Sequence, residues 1–205
     1  MITTLLKAFV IGFSIAAAVG PICMLCIRRT LVMGRRVGFV SGLGAATADA
    51  FYGAVASFGL TFVSRFFLRH AAPLHIGGGL FLLYLGVRTA FANAEVRAPV
   101  AAALGASGAL GAYGSTFLLT LTNPMTIVMF AAIFAAIAPA GGLNYAAASL
   151  TVAGVFLGSA TWWLILSVGV GAFRRFIGIR LMQWVNRLSG ATIFGFGLAD
   201  LAEKV

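Results

Sequence analysis

Acidic residues are scarce in this chain, which has only 4 Asp and Glu against 14 Lys and Arg, and charged residues make up 9% of its 205 positions. A soluble domain has about 25% charged residues. Residues 98–173 include no charged side chain at all, and this stretch is long enough for two membrane crossings of about 20 residues each. Since 61% of the chain is hydrophobic and a soluble core buries only part of such a surface, the composition excludes a soluble protein and predicts an integral membrane protein.

The chain also lacks the residue groups that several enzyme classes need. No apolar segment presents a Ser/His pair or paired carboxylates, so an intramembrane hydrolase is the weakest interpretation. The only cysteines are Cys23 and Cys26. We expect a protein that is not an enzyme and has no cofactor.

The formal net charge of +10 does not indicate a nucleic-acid partner. A nucleic-acid groove would need basic residues interleaved with exposed aromatic residues on a soluble surface. Here the basic residues are clustered between apolar segments, as the positive-inside rule predicts for membrane proteins. The expected partners are therefore the lipid bilayer and a small-molecule substrate.

Hydrophobic segments predict an all-α membrane protein with six transmembrane helices. The predicted spans are residues 9–27, 37–63, 74–91, 110–138, 145–170 and 188–201, the sixth being short. Ten arginines fall on one side of this arrangement, namely Arg28, Arg29, Arg35, Arg36, Arg88, Arg97, Arg174, Arg175, Arg180 and Arg187. That side should face the cytoplasm. We expect a bacterial inner-membrane protein with both termini in the periplasm and with residues 173–187 along the cytoplasmic interface.

The two halves of the chain show a weak internal repeat. Each half begins with a span that contains a proline break, Gly20-Pro21 in one and Asn123-Pro124 in the other. Each half also ends with a span that carries two glycines seven residues apart, Gly79 with Gly86 and Gly190 with Gly197. Because each half has an odd number of spans, the second half must enter the membrane upside down. The pattern predicts inverted three-helix repeats at residues 1–97 and 98–205, as in secondary transporters.

The two proline breaks are the best candidates for a substrate site. A proline inside a membrane helix frees backbone groups, which are tolerated where they line a cavity. Matching breaks in the two halves point to a midplane site, and helix N-termini there can receive a carboxylate. The predicted substrate-binding residues are Gly20, Pro21, Thr122, Asn123 and Pro124. The alternative is an ordinary proline kink at each position.

Asp49 is the one acidic residue well inside a predicted span. A carboxylate in hydrocarbon is costly, so such residues usually serve a function. We expect Asp49 to bind a substrate ammonium group or to carry a coupling proton. The alternative is a structural Asp that is hydrogen-bonded to neighbouring helices.

Cys23 and Cys26 lie on one helical face just after the first break. Two other functions are therefore considered: a heavy-metal or inorganic-cation exporter with these thiols as weak candidate ligands, and a membrane thiol–disulfide electron carrier. Packing by small apolar side chains is the favoured interpretation. Glycines four residues apart, such as Gly38 and Gly42, predict tight helix packing or a homodimer face.

These motifs together resemble the LysE/RhtB family of amino-acid exporters over nearly the whole chain. The matching segments are Gly20-Pro21 with the basic run through Arg36, Gly42 to Asp49, Leu82 to Gly86, Thr122-Asn123-Pro124, Gly154 to Trp163, and Asn186 to Gly190. The resemblance implies efflux of amino acids or related metabolites, driven by the proton-motive force. The family often has a further proline where this chain has Val19, and a lysine where it has Met125, so no particular substrate is carried over.

Overall fold

The computed structural model describes residues 1–18, 20–58, 71–91, 105–123, 126, 129–130, 144–173 and 179–202. This part of the chain is helical and has no strand. Its helices are α1 (Ile2–Ala17), α2 (Pro21–Met33), α3 (Arg35–Ser57), α4 (Ala71–Ala90), α5 (Gly105–Thr122), α6 (Tyr145–Phe173) and α7 (Ile179–Ala202).

The first predicted span is in fact two helices, α1 and α2, whose axes differ by 78°. Gly20 is extended, with φ −151° and ψ −173°, and Pro21 is the first residue of α2. Proline suits that position because its missing N–H would be unpaired there in any case. The sequence correctly located the break but underestimated the length of the helix after it, since α2 continues to Met33.

Arg28 and Arg29 were predicted to lie in a loop, and this was wrong, because both are inside α2. The connection between α2 and α3 is a single residue, Gly34, with φ 97°. A side chain is strongly disfavoured at such an angle, so glycine allows the chain to leave one helix and enter the next at once.

The helices pack in a crossed pattern around α3. The most extensive helix contacts are those of α1 with α6, of α4 with α7, and of α3 with both α5 and α6. Helix α2 packs mainly on α3 and α7. The largest core cluster is built from small and medium side chains, including Cys26, Ala45 and Ala46, against Trp163 of α6. The centre of this core is where α2, α3 and α6 meet.

Glycine allows several of these helices to approach closely. A Cβ at Gly158 would collide with the carbonyl oxygen of Phe9, and one at Gly44 with the carbonyl oxygen of Tyr113. The repeated glycines of α4 and α7 have the same role, since a Cβ at Gly197 would lie 3.0 Å from the carbonyl oxygen of Gly79. Small residues at such contacts are typical of helix packing in membranes.

The described surface is largely apolar, whereas the interior includes several polar side chains. Large hydrophobic side chains such as Leu80, Ile165 and Leu188 are about half exposed, while Ser41, Asp49 and Ser159 are buried. Soluble monomers rarely expose extended apolar surface. Among the described residues, α6 is long and apolar enough to cross a membrane alone, and α1 with α2 meets that criterion as a bent pair. Six spans therefore stay a prediction.

The last helix differs most from the sequence prediction. The predicted sixth span covered residues 188–201, whereas α7 runs from Ile179 to Ala202 and has 24 residues. Its first turns include residues 179–187, which were predicted to lie along the membrane interface. Residues 174–178 lie outside the described part of the chain.

Candidate functional site

A cavity of about 230 Å³ lies at the break between α1 and α2 and is closed by α3, α5, α6 and α7. Four of the predicted site residues line it, namely Gly20, Pro21, Asp49 and Asn123. Residues that lie about 100 positions apart in the sequence thus meet in one space. The break between two helices leaves this space because neither helix fills the corner between them.

Asp49 is the acidic group of this cavity. It is 3% exposed, and its Oδ2 accepts a 2.7 Å hydrogen bond from the hydroxyl of Ser159 on α6. No other hydrogen bond to Asp49 occurs within the described residues. Among the described residues, the cavity lining includes no Lys or Arg, so Oδ1 can take up a proton or accept a hydrogen bond from a bound ammonium group.

The N-terminus of α2 forms another part of the wall. Gly20, Pro21, Ile22 and Cys23 all line the cavity, and no side chain caps the helix or places an acid in its first turn. The unpaired N–H groups of a helix N-terminus favour an anion. The cavity therefore presents a carboxylate and a positive helix end to the same space.

The second break contributes mainly polar groups. Thr120, Asn123 and Thr126 line the cavity. The backbone N–H of Asn123 donates to the carbonyl of Thr120 over 3.3 Å. Thr122, a predicted binding residue, is not part of the lining, since its hydroxyl donates to the carbonyl of Leu118. Pro124 lies outside the described residues.

Aromatic and aliphatic side chains complete the wall, with Ile15, Met129, Trp163 and Phe196 among them. Trp163 is 3% exposed and packs against the backbone of α3 at Gly42, where a Cβ would collide with its side chain. Trp163 therefore both packs in the core and forms part of the cavity wall. Most ligand sites combine such apolar walls with few polar groups.

Several lining residues were not identified as site residues from the sequence, among them Thr120, Met129, Trp163 and Phe196, and neither was the Asp49 partner Ser159. Ser159 and Trp163 are four residues apart and therefore share one face of α6. That spacing, directly after the packing glycine Gly158, was the available signal. Phe196 had none, because its position on the cavity depends on how α7 packs.

The two cysteines are both buried free thiols, but they occupy different places. Cys23 lines the cavity, whereas Cys26 is 0% exposed and belongs to the packed core. Within the described residues, no group of three or more His, Cys, Asp or Glu side chains is arranged to hold a metal ion. Cys23 and Asp49 share the cavity without a third such ligand.

The chain has similar relatives among characterised and uncharacterised bacterial proteins. It is 27% identical over 195 residues to the "Putative amino acid efflux protein YcgF" of Bacillus subtilis, covering 94% of this chain and 92% of that protein. It is 28% identical to the "Uncharacterized membrane protein YahN" of Escherichia coli, covering 87% of this chain and 80% of the other. It is also 27% identical to the "Chemotactic transduction protein ChpE" of Pseudomonas aeruginosa, covering 100% and 99%.

No solved structure gives a significant match to the chain. The family model described as "LysE type translocator" matches residues 13–203, which is nearly the whole sequence and confirms the resemblance seen in its motifs. Members of this family are integral membrane transporters of small molecules rather than enzymes. This chain, with its apolar surface and its cavity at a broken helix, belongs to the LysE type translocator family and is a membrane transporter.

Proposed function

We propose that this transporter is a secondary exporter of amino acids or closely related metabolites across the bacterial inner membrane, driven by the proton-motive force. The observation that carries the proposal is the cavity of about 230 Å³ in which the two chain breaks and Asp49 meet. Water occupies about 30 Å³ per molecule in the liquid. The cavity thus has room for a metabolite the size of an amino acid.

The cavity's chemistry suits a zwitterion. The N-terminus of α2 at Gly20 and Pro21 faces the substrate carboxylate, and Asp49 faces its ammonium group or carries the coupling proton. From the second break, Asn123 contributes its polar side chain to the site, beside Thr120 and Thr126. An amino acid efflux name among the relatives supports the same substrate class.

We propose that the architecture consists of inverted three-helix repeats, residues 1–97 and 98–205, with six membrane spans. Two matched contacts support this. Gly158 of α6 packs on the Phe9 carbonyl, 12 residues before Pro21, and Gly44 of α3 packs on the Tyr113 carbonyl, 11 residues before Pro124. In each contact the first helix of one repeat packs on the second helix of the other, as an inverted pair requires.

The remaining helix pairs support the same symmetry. Positions on α3 meet positions on α6 in reverse order, since Gly42 faces Trp163 and Gly53 faces Val155. On α4 and α7 the order is also reversed, with Gly79 against Gly197 and Gly86 against Phe194. Equivalent helices of inverted repeats run antiparallel, so both pairs contact in the manner that a two-fold axis in the membrane plane would produce.

We propose that both termini lie in the periplasm, because the positive-inside rule assigns the arginine-rich side to the cytoplasm. Exposed Arg35, Arg36 and Arg88 would then lie near the cytoplasmic lipid headgroups. The glycine-rich faces are used within the monomer in the contacts above, so a homodimer would need another surface. We propose no nucleic-acid partner, because the basic residues are clustered between apolar segments of the sequence.

The test is counterflow in proteoliposomes with a panel of labelled amino acids. Wild-type protein should exchange at least one of them, and Asp49→Asn should keep exchange but lose accumulation driven by a proton gradient. Ser167→Ala is the matched control, since it removes a buried hydroxyl of α6 that does not line the cavity. If the folded protein exchanges no amino acid, the proposal that it exports amino acids is wrong.

Export of a heavy-metal or inorganic cation is the second candidate, because Cys23 and Asp49 line the same cavity. In that case the variant Cys23→Ser with Cys26→Ser should lose transport of the metal. A thiol–disulfide electron carrier would instead show both cysteines cycling between thiol and disulfide. Only Cys23 reaches the cavity, so a partner thiol approaching from there would meet one cysteine and not both.

A further inference from the structure

Arg29 is a partly buried cation of α2 whose hydrogen-bond partners within the described residues are all neutral. Its Nη1 lies within hydrogen-bonding distance of three oxygens: the Ser41 hydroxyl on α3, the Thr116 hydroxyl at 2.7 Å and the Ala112 carbonyl at 2.8 Å. Its Nη2 donates to the Ser115 hydroxyl over 2.8 Å. None of these partners carries a negative charge. An unpaired charge inside a membrane protein is costly and usually marks a functional site.

One edge of this guanidinium group is left free. Arginine has five N–H donors in a planar fork. Nη1 has two of them and faces three oxygens, while Nη2 uses one for Ser115. The Nε–H and the second Nη2–H have no partner within the described residues. These two donors lie side by side, in the arrangement that binds a carboxylate with two parallel hydrogen bonds.

The free edge is close to the substrate cavity. Cys23 lines the cavity, and Arg29 lies six residues farther along α2, about 9 Å along the helix axis. Its anchors are nearer still, because Ser41 is one turn from the lining residue Ala45 and Thr116 is one turn from Thr120. Hydrogen bonds from α3 and α5 thus hold Arg29 about one helical turn from the cavity lining, on the side of the C-terminal end of α2.

The neighbouring cation, Arg28, likewise has a neutral partner within the described residues. Arg28 donates to Oδ1 of Asn186 on α7 over 3.0 Å, so two consecutive cations of α2 have neutral partners. Their summed field attracts an anion toward this end of the cavity. Asp49, at the other end, attracts a cation.

We propose that Arg29 is a carboxylate-binding site of this transporter, which takes the carboxylate of an α-amino acid on its Nε/Nη2 edge as the substrate enters or leaves the cavity. This inference rests on the proposed export of amino acids. It adds a specific preference for a free carboxylate over an amide on the substrate. An anionic lipid headgroup has the same oxyanion chemistry, but lipid would meet the exposed Arg35 and Arg36 at the helix ends before Arg29 between the helices.

The first test needs no transport. Purified wild-type protein is treated with phenylglyoxal, which modifies arginine, and each arginine is followed by peptide mass spectrometry. The probes are L-leucine, L-lysine and L-threonine, each compared with its amide, and phosphatidylglycerol in nanodiscs. We expect at least one of the acids, but not its amide, to slow the modification of Arg29, while Arg36 is modified at the same rate with each acid and its amide. Equal protection by acid and amide, or protection by phosphatidylglycerol alone, would overturn the proposal.

The second test uses Arg29→Lys, which keeps the charge but removes the two-donor edge. Its matched control is Arg36→Lys, at an exposed position. In counterflow, we expect Arg29→Lys to raise the half-saturating concentration of the amino acid about tenfold without changing that of its amide, so that the preference for the acid is lost. If both compounds are affected equally, Arg29 has only a structural role. Absence of all amino-acid transport, with Arg29 still protected by an acid, would count against the proposed export and not against the carboxylate site.

Discussion

Ser159 of α6 donates a 2.7 Å hydrogen bond to Oδ2 of Asp49 on α3, and both residues are buried at the side of the cavity. The two helices are thereby joined at the level of the substrate site. Because α3 and α6 occupy equivalent places in the proposed repeats, a change in the charge of Asp49 acts on the contact between the two halves.

Ser159→Ala should destabilise the protein by about 1–3 kcal/mol, because it removes a hydrogen bond to a buried carboxyl group. Ser167→Ala, two turns along the same helix, should change stability much less, since the Ser167 hydroxyl has no partner within the described residues. Thermal unfolding in detergent micelles measures both. Equal losses in the two variants would mean that the Asp49 contact contributes nothing specific.

Gly158→Ala should destabilise the packing of α1 on α6 by about 1–3 kcal/mol, because the added Cβ meets the carbonyl oxygen of Phe9 and backbone cannot move aside easily. Gly169→Ala on the same helix is the control. A Cβ there meets nothing within 4 Å, so the change should be neutral or stabilising by up to about 1 kcal/mol. The same unfolding measurement distinguishes the two, and similar midpoints would contradict the close contact.

The sequence predicted the broken first helix and the buried acid because both result from local chemistry. Proline ends or begins a helix wherever it lies, and a lone carboxylate in an apolar segment has few alternatives to a polar cavity. The position of Arg29 could not be predicted in this way. Arginines near a helix end are normally solvated, and only the direct passage from α2 to α3 through Gly34 turns Arg29 toward Ser41.

The cavity wall was also only partly predictable. Gly20, Pro21 and Asn123 were identified because a repeat marks them, whereas Trp163 and Phe196 line the cavity through the packing of α6 and α7. Thr122 shows the opposite error. It lies beside Asn123 in the sequence, but its hydroxyl turns back to the carbonyl of Leu118, since one residue along a helix rotates a side chain by about 100°.

Trp163→Ala should change which substrates are accepted. Removing the indole enlarges the cavity on its apolar side, so transport should shift toward amino acids with bulkier side chains, by about tenfold in relative kcat/KM. Trp162→Ala is the control, because Trp162 packs edge-on against Phe13 with ring centroids 5.4 Å apart and does not line the cavity. Competition between small and large amino acids in counterflow measures the shift. An unchanged preference in Trp163→Ala, with transport retained, would remove Trp163 from the substrate site.

The two cysteines should differ in reactivity because only one reaches the cavity. Cys23 lines it, while Cys26 is fully buried one turn farther along α2. A small methanethiosulfonate reagent should therefore modify Cys23 in the variant Cys26→Ala much faster than it modifies Cys26 in the variant Cys23→Ala, and a transported amino acid should slow the first reaction. Mass spectrometry of the intact protein measures both rates. If the two thiols react at equal rates, Cys23 is no more accessible than Cys26 and is not part of the substrate cavity. If membranes instead yield a Cys23–Cys26 disulfide that forms and breaks with the redox state of the buffer, the cysteines act as a pair, as the electron-carrier alternative expects.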